Sequence, residues 1–142
     1  MKVILVRGIP ASGKSTWARK WAEENPEERV RICRDDIRKG LGKYWVISRE
    51  TLVKRIKESA IYHALDLGYD IVIDDMNLNE FDVKSVKRIV DSYENSEVIF
   101  QDFLDVPLSE CIRRDKNREN SIGAEIITSV FNKYKEKYKL KE

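Results

Sequence analysis

A three-layer α/β domain with a central, mainly parallel sheet of four or five strands is predicted from three features of the 142-residue sequence. Short apolar runs alternate with longer stretches of helical period, the pattern of strands joined by crossover helices. The first run, Val3-Ile4-Leu5-Val6, is continuous rather than alternating, as in a strand covered on both faces. Directly after it, Gly8-Ile9-Pro10-Ala11-Ser12-Gly13-Lys14-Ser15 has the spacing G-x-x-x-x-G-K-S between a strand and a helix.

The elements follow in order. The first strand, about Lys2 to Arg7, is the central one. A helix then runs from Lys14 to about Glu24 with Trp17, Ala18 and Trp21 inward, and Asn25-Pro26 stops it. The second strand, Arg29 to Cys33, delivers Arg34-Asp35-Asp36-Ile37-Arg38 at its carboxyl end, where open α/β sheets bind their ligands. The loop Gly40 to Trp45 carries an aromatic pair beside basic residues. Its Trp45 fits equally a surface for stacking a nucleobase and a side chain tucked against the next helix. That helix is predicted from Ser48, its cap, to Gly68, with Leu52, Ile56, Ala60, Ala64 and Leu67 inward and its charges in water. His63, on the same helix, reads as structural rather than as a proton carrier.

The third strand is Asp70-Ile71-Val72-Ile73-Asp74-Asp75, and the next helix turns Val83, Val86, Ile89, Val90 and Tyr93 inward. The fourth strand spans about Glu97 to Leu104. After Asp105-Val106-Pro107 a helix carries Cys111, Arg113, Arg114, Asp115 and Arg118 until Asn120-Ser121 breaks it. The last helix buries Ile126, Ile127, Val130, Phe131 and Tyr134 and frays at a lysine-rich end. One domain, 1–142, accounts for the whole chain.

With 27 basic and 25 acidic residues the formal charge is only +2, so any polyanion must be gripped by a local patch rather than by the field of the whole molecule. Cys33 and Cys111 fall in no metal or disulfide pattern, which points to a reducing cytoplasm. The apolar run before Arg7 is too short for a signal-peptide core, and no run of about eighteen apolar residues exists, so no membrane partner is expected.

The chemistry starts at the glycine-rich loop. Its glycines let successive backbone N–H groups turn toward phosphate oxygens, and the helix N-terminus behind adds partial positive charge. Gly8, Ile9, Pro10, Ala11, Ser12, Gly13, Lys14, Ser15 and Thr16 form the expected nucleotide-binding stretch. Lys14 would reach the outer phosphates and the Ser15 hydroxyl would bind Mg2+. Asp74-Asp75 resembles a Walker-B strand end, in which an aspartate helps hold hydrated magnesium, so Asp74 joins Ser15 through water. The second carboxylate is Asp where motor ATPases carry Glu, which favours transfer to an alcohol over hydrolysis. Asp35 and Arg38, three apart, share one face of a helical turn. A helix cap with a surface ion pair gives the same pattern.

Four stretches, 8–18, 34–38, 75–79 and 105–107, resemble the kinase domain of phage-type polynucleotide 5′-kinases, and the likeness covers nearly the whole chain. The resemblance implies a P-loop kinase fold that moves the γ-phosphate of ATP, with other NTPs left open as donors, to the 5′-hydroxyl of DNA or RNA in end healing. It makes Asp35 the general base, Arg38 the holder of the adjacent phosphate and Asp75 the residue that orients Arg38. It makes Arg114 and Arg118 lid arginines over the donor phosphates, in a lid near 113–123, while Lys14 and Ser15 keep their loop roles. Ala11 and Met76 depart from the Gly and Thr of close relatives, changes expected to be tolerated. Phage relatives continue into a 3′-phosphatase domain, whereas this sequence ends at Glu142, so a separate 3′-phosphatase and ligase are the expected partners. Two other readings stand beside this one: a kinase of a small alcohol such as a nucleoside, sugar or antibiotic, and a non-catalytic nucleotide switch. The guanine-reading pattern Asn-Lys-x-Asp is absent, since Asn132-Lys133 is followed by Tyr134-Lys135.

Overall fold

The computed structural model describes residues 1–142. Its elements are β1 (Lys2–Arg7), α1 (Lys14–Glu24), β2 (Arg29–Ile32), α2 (Arg34–Gly40), a 3-10 turn (Ile47–Arg49), α3 (Glu50–Asp66), β3 (Asp70–Ile73), α4 (Glu80–Asp91), β4 (Glu97–Asp102), α5 (Leu108–Lys116) and α6 (Ala124–Tyr138). The four strands form one fully parallel sheet in the order β2-β3-β1-β4.

β1 therefore has a neighbour on each side, Ile4 pairing with Val72 on β3 and with Ile99 on β4. Strand side chains alternate between faces. Val3 and Leu5 pack with Ile61, Leu65, Val86 and Val90 of α3 and α4, while Ile4 and Val6 pack with Ala18 of α1 and Val72. Both faces are thus roofed by helices, which is why the run is continuously apolar. At roughly 1.5–3 kcal/mol for each fully buried Val, Leu or Ile, these side chains hold the three layers together. A third cluster, Ile9, Leu78, Cys111, Ile127 and Phe131, seats α5 and α6 beside the carboxyl ends of the strands.

Four expectations need correction. α3 is entered through the 3-10 turn, and no side chain caps it, so Ser48 is not its cap. Its inner face is Val53, Lys57, Ile61, Ala64 and Leu65, one residue round from the predicted stripe; Leu52 and Leu67 are exposed. The shift comes from Lys57, a charge in a buried position that an apolar count assigns to water. The chain end is tied rather than frayed: Leu108 N–H donates to Lys141 O and Ser109 N–H to Glu142 O, both at 2.9 Å, which satisfies the first turn of α5. Within α6, Ile126 is exposed while Ile127 and Phe131 are buried.

Candidate active site

The phosphate loop joins β1 to α1 and is shaped by what lies behind it. Gly8 donates its N–H to Met76 O at 3.2 Å, and a Cβ there would come within 2.5 Å of Ser12 Oγ and 3.2 Å of Phe103 Cβ. Ala11 and Gly13 take positive φ, +64° and +103°, giving the alternating backbone of an anion-binding nest. For Ala11 that conformation costs about 1–2 kcal/mol, so the loop carries strain at this position. Ile9 is buried and Gly8 is packed behind the loop, so these two support it, while Pro10 to Thr16 line the cleft.

Lys14 folds back onto the loop, donating to Ile9 O at 2.7 Å and to Ser12 Oγ at 3.4 Å. Burial pushes its ammonium down to about 8, against the pull of Asp74. Ser15 Oγ donates to Asp74 Oδ1 at 3.2 Å, and Arg31 grips Asp74 Oδ2 through Nε and Nη2 at 2.7 and 2.6 Å. Magnesium is held through one or two protein oxygens, phosphates and water, and the adjacent oxygens of Ser15 and Asp74 fit that demand.

Across the same cleft, of about 1140 Å³, stand Asp35 and Arg38. Asp35 Oδ1 accepts from Arg38 Nη1 at 2.6 Å and from the Tyr44 hydroxyl at 2.8 Å, while no hydrogen bond engages Oδ2. Arg38 is fixed from behind by Glu50, through Nε at 2.9 Å and Nη2 at 2.5 Å. That contact holds the Glu50 carboxyl below its ordinary range. Burial and the bond to Asp35 push the Tyr44 phenol up to about 12, so it donates at every ordinary pH. One carboxylate oxygen is thereby positioned and the other left open.

Asp75 does not orient Arg38. Its carboxylate meets Lys57 Nζ at 2.9 Å and Arg34 Nε at 3.2 Å, and accepts the Arg34 N–H at 3.0 Å. Burial opposes its charge, but Lys57 and Arg34 outweigh that and hold it below the usual carboxylate range. The rest of its stretch builds the floor. Asn77 Nδ2 ties Val6 O at 2.7 Å to Ile73 O at 3.0 Å, Leu78 is core, and Asn79 caps α4 by accepting from Phe81 N–H at 2.8 Å.

Of the four basic residues in the 113–123 segment, Arg114 and Arg118 lie on the cleft wall. Arg114 Nη1 donates to Ser12 O at 3.2 Å, on the phosphate loop itself. Arg118 lies past the end of α5 and donates to Asp115 Oδ1 at 2.8 Å. Asp115 is buried and also accepts from Ser121 Oγ and from the N–H groups of Ile122 and Gly123 at 2.8, 3.1 and 2.9 Å. Burial would raise its pKa, but these donors hold the carboxyl at about 2.

A family model described as an AAA domain, AAA_33, matches residues 3–140 of this chain. The chain belongs to the AAA_33 family. Among curated proteins it is similar to the L-seryl-tRNA(Sec) kinase of Methanococcus maripaludis, 22% identical over 93% of this chain and 52% of that protein. A chain in the structure of the Pnkp1/Rnl/Hen1 RNA repair complex is similar at TM-score 0.71 and 25% identity, over 96% of this chain and 45% of that one. The Mycobacterium tuberculosis APS kinase CysC, solved with AMPPNP and APS, shares the fold at TM-score 0.63 and 18% identity, over 82% of this chain and 69% of that one. This AAA_33 chain thus spans about half the length of the seryl-tRNA kinase it matches. Together the sheet order, the loop and the matching family describe a P-loop kinase fold.

Four residues of this AAA_33 site escape sequence reasoning. Lys57 has a signal: it is the lone charge in the i, i+4 stripe Val53-Lys57-Ile61-Leu65. Tyr44, Glu50 and Asp115 carry none for these contacts, because their partners Asp35, Arg38 and the Ser121 hydroxyl with the Ile122 and Gly123 amides meet them only through turns of the chain.

Proposed function

We propose that this domain is an ATP-dependent polynucleotide 5′-hydroxyl kinase. The observation that carries the reading is a single cleft holding the phosphate loop on one side and, on the other, an aspartate with one oxygen pinned and one open. The acceptor hydroxyl oxygen attacks the γ-phosphorus, its proton passes to Asp35 Oδ2, and the bond from γ-phosphorus to the bridging oxygen breaks with its electron pair leaving on ADP. Arg38 holds the phosphate next to the acceptor hydroxyl. Lys14 and Arg114 bind the donor phosphates, and Arg118 swings from Asp115 onto them as segment 113–123 closes as a lid. Ser15 and Asp74 would hold a magnesium ion, which would supply charge neutralisation for the donor phosphates. Val106, Ile122 and Val130 on the cleft wall offer the donor base an apolar seat.

The likeness to a chain of an RNA repair complex supports a nucleic-acid acceptor. The free, buried Cys33 and Cys111 suit work in a reducing cytoplasm. No helix is long and apolar enough to cross a membrane. A second reading rests on the seryl-tRNA(Sec) kinase likeness, which shares a primary alcohol as acceptor but places it on an aminoacyl group.

The test is transfer of labelled γ-phosphate from ATP and Mg2+ to a 5′-hydroxyl oligonucleotide, with seryl-tRNA and free nucleosides as competing acceptors. Wild-type protein labels the oligonucleotide, Asp35→Asn still binds ATP and loses about 10²–10⁴-fold in rate, and Lys14→Ala binds nucleotide more weakly and loses transfer. Labelling of a competing acceptor alone, or full activity in Asp35→Asn, would overturn the assignment.

A further inference from the structure

Trp45 is the large aromatic side chain that the catalytic geometry leaves without a task. It lies on the loop between α2 and the 3-10 turn, is 53% exposed, and forms part of the cleft wall on the Asp35 side. The other tryptophan of that cleft, Trp17, is spent on packing: it stacks on Trp21 at 6.3 Å between centroids and meets Phe103 edge-on at 6.4 Å. Trp45 instead has Arg38 over its ring, with the guanidinium carbon 5.4 Å from the centroid.

The loop that presents it is held on both sides. Arg49 Nη1 donates to Leu41 O at 3.0 Å, and the neighbouring Tyr44 is tied to Asp35. Half of its surface stays wet, so packing within the fold uses only part of the indole. An exposed indole on a fixed loop beside a phosphate-seeking guanidinium is the arrangement that binds a base and its phosphate together. Val46 and Ile47 follow directly, Ile47 79% exposed, so the apolar surface continues outward from the cleft.

We infer that the Trp45 indole is the stacking platform for the nucleobase at the 5′ end of the acceptor, and that the domain therefore takes single-stranded ends. The inference rests on the 5′-kinase reading and adds its specificity. A base laid on Trp45 keeps a phosphate of its own nucleotide within reach of Arg38 and the 5′-hydroxyl toward Asp35. Such a base must leave its pairing partner and its neighbour in the strand, which a free end does at little cost and a paired end does not. Stacking is tolerant of base identity, because every base has a π-face. Trp45 is thus a specificity residue that touches the acceptor without touching the reacting atoms.

The experiment compares wild type, Trp45→Ala and Trp45→Phe on two single-stranded 5′-hydroxyl oligonucleotides, one intact and one with abasic sugars at its first two positions. Trp45→Ala lowers kcat/KM on the intact strand by about 5- to 150-fold, chiefly through KM, and leaves the already poor abasic strand nearly unchanged. Trp45→Phe retains most of the wild-type value. Thermal unfolding of both variants stays close to wild type, since the side chain is half in water. Equal loss on both strands, or no loss on either, overturns the platform while the kinase stands. Failure of wild-type protein to label either strand overturns the 5′-kinase reading, and the platform with it.

Discussion

Lys57 holds a charge where an aliphatic side chain would pack without cost, and Asp75 is what makes that place tolerable. The two side chains are 2.9 Å apart and each is 5% exposed, so neither charge has water to fall back on. Removing one partner of such a pair strands the other, at a cost of about 3–5 kcal/mol. Lys57→Met is therefore expected to lose that much unfolding free energy in urea, and Asp75→Asn a comparable amount. The double variant should cost less than the two singles together by about 1–3 kcal/mol, because the second change removes a charge already stranded. Strict additivity in the cycle would mean that the pair is not coupled. The chemical role of this pair is indirect: Asp75 also holds the backbone and side chain of Arg34, the first residue of the helix bearing Asp35 and Arg38. Asp35, Arg38, Lys14 and Ser15 are legible in the sequence because a short local motif places each of them. The supports of the first two are not, since Tyr44 and Glu50 reach them across a loop whose path no local pattern dictates.

Among the elements, β1 and α1 are legible to the residue, because a parallel strand covered on both faces and a glycine-rich turn each leave an unambiguous local mark. The face of α3 is not, because its period is read from apolar residues and its deepest polar one is Lys57. The segment from 117 to 123 shows no periodicity at all, and yet Asp115 organises it by accepting from Arg118, Ser121, Ile122 and Gly123. This carboxylate ties the end of α5 to the start of α6 and so sets where Arg118 rests. Asp115→Asn replaces an acceptor with a group that also donates, facing two N–H donors, and is expected to cost about 1–3 kcal/mol. In hydrogen exchange the amides of Ile122 and Gly123 should speed up, while that of Cys111, bonded to Pro107 O within α5, keeps its protection. The pH sign follows from a folded pKa held at about 2. The stabilisation is complete above the unfolded value near 3.9 and is lost as pH falls from there toward about 2. Wild-type protection at these amides should therefore persist at pH 5 and fail on acidification toward pH 2. Unchanged exchange in Asp115→Asn would remove the anchor.

At the scale of the whole molecule, the phosphate loop is where the separate cores meet. Ile9 belongs to the cluster under α5 and α6, Gly8 hangs on Met76 beyond β3, and Ser15 reaches the end of β3 through Asp74. With a formal charge of only +2, the molecule as a whole offers little pull on a nucleotide, so the affinity must come from these local groups. Lys14 is the one whose state depends on the ligand. In the free protein burial lowers its pKa from 10.5 to about 8. Between those values the unfolded chain binds a proton that the folded one lacks, so the Lys14 contribution to stability rises with pH across that window. Phosphate oxygens beside Nζ favour the ammonium and reverse the shift. Nucleotide binding near pH 8.5 must then draw a proton from solution. Calorimetry in two buffers of different ionisation heat at that pH should report uptake of about 0.5–1 proton per nucleotide beyond that of Lys14→Met, and the difference should vanish near pH 7, where Lys14 is already charged. Nucleotide affinity should weaken above pH 8 for wild type and stay flatter for the variant. A binding heat at pH 8.5 that ignores the buffer would show that Lys14 keeps its charge in the free loop, and that its folded-back contact with Ile9 O is strong enough to offset the burial.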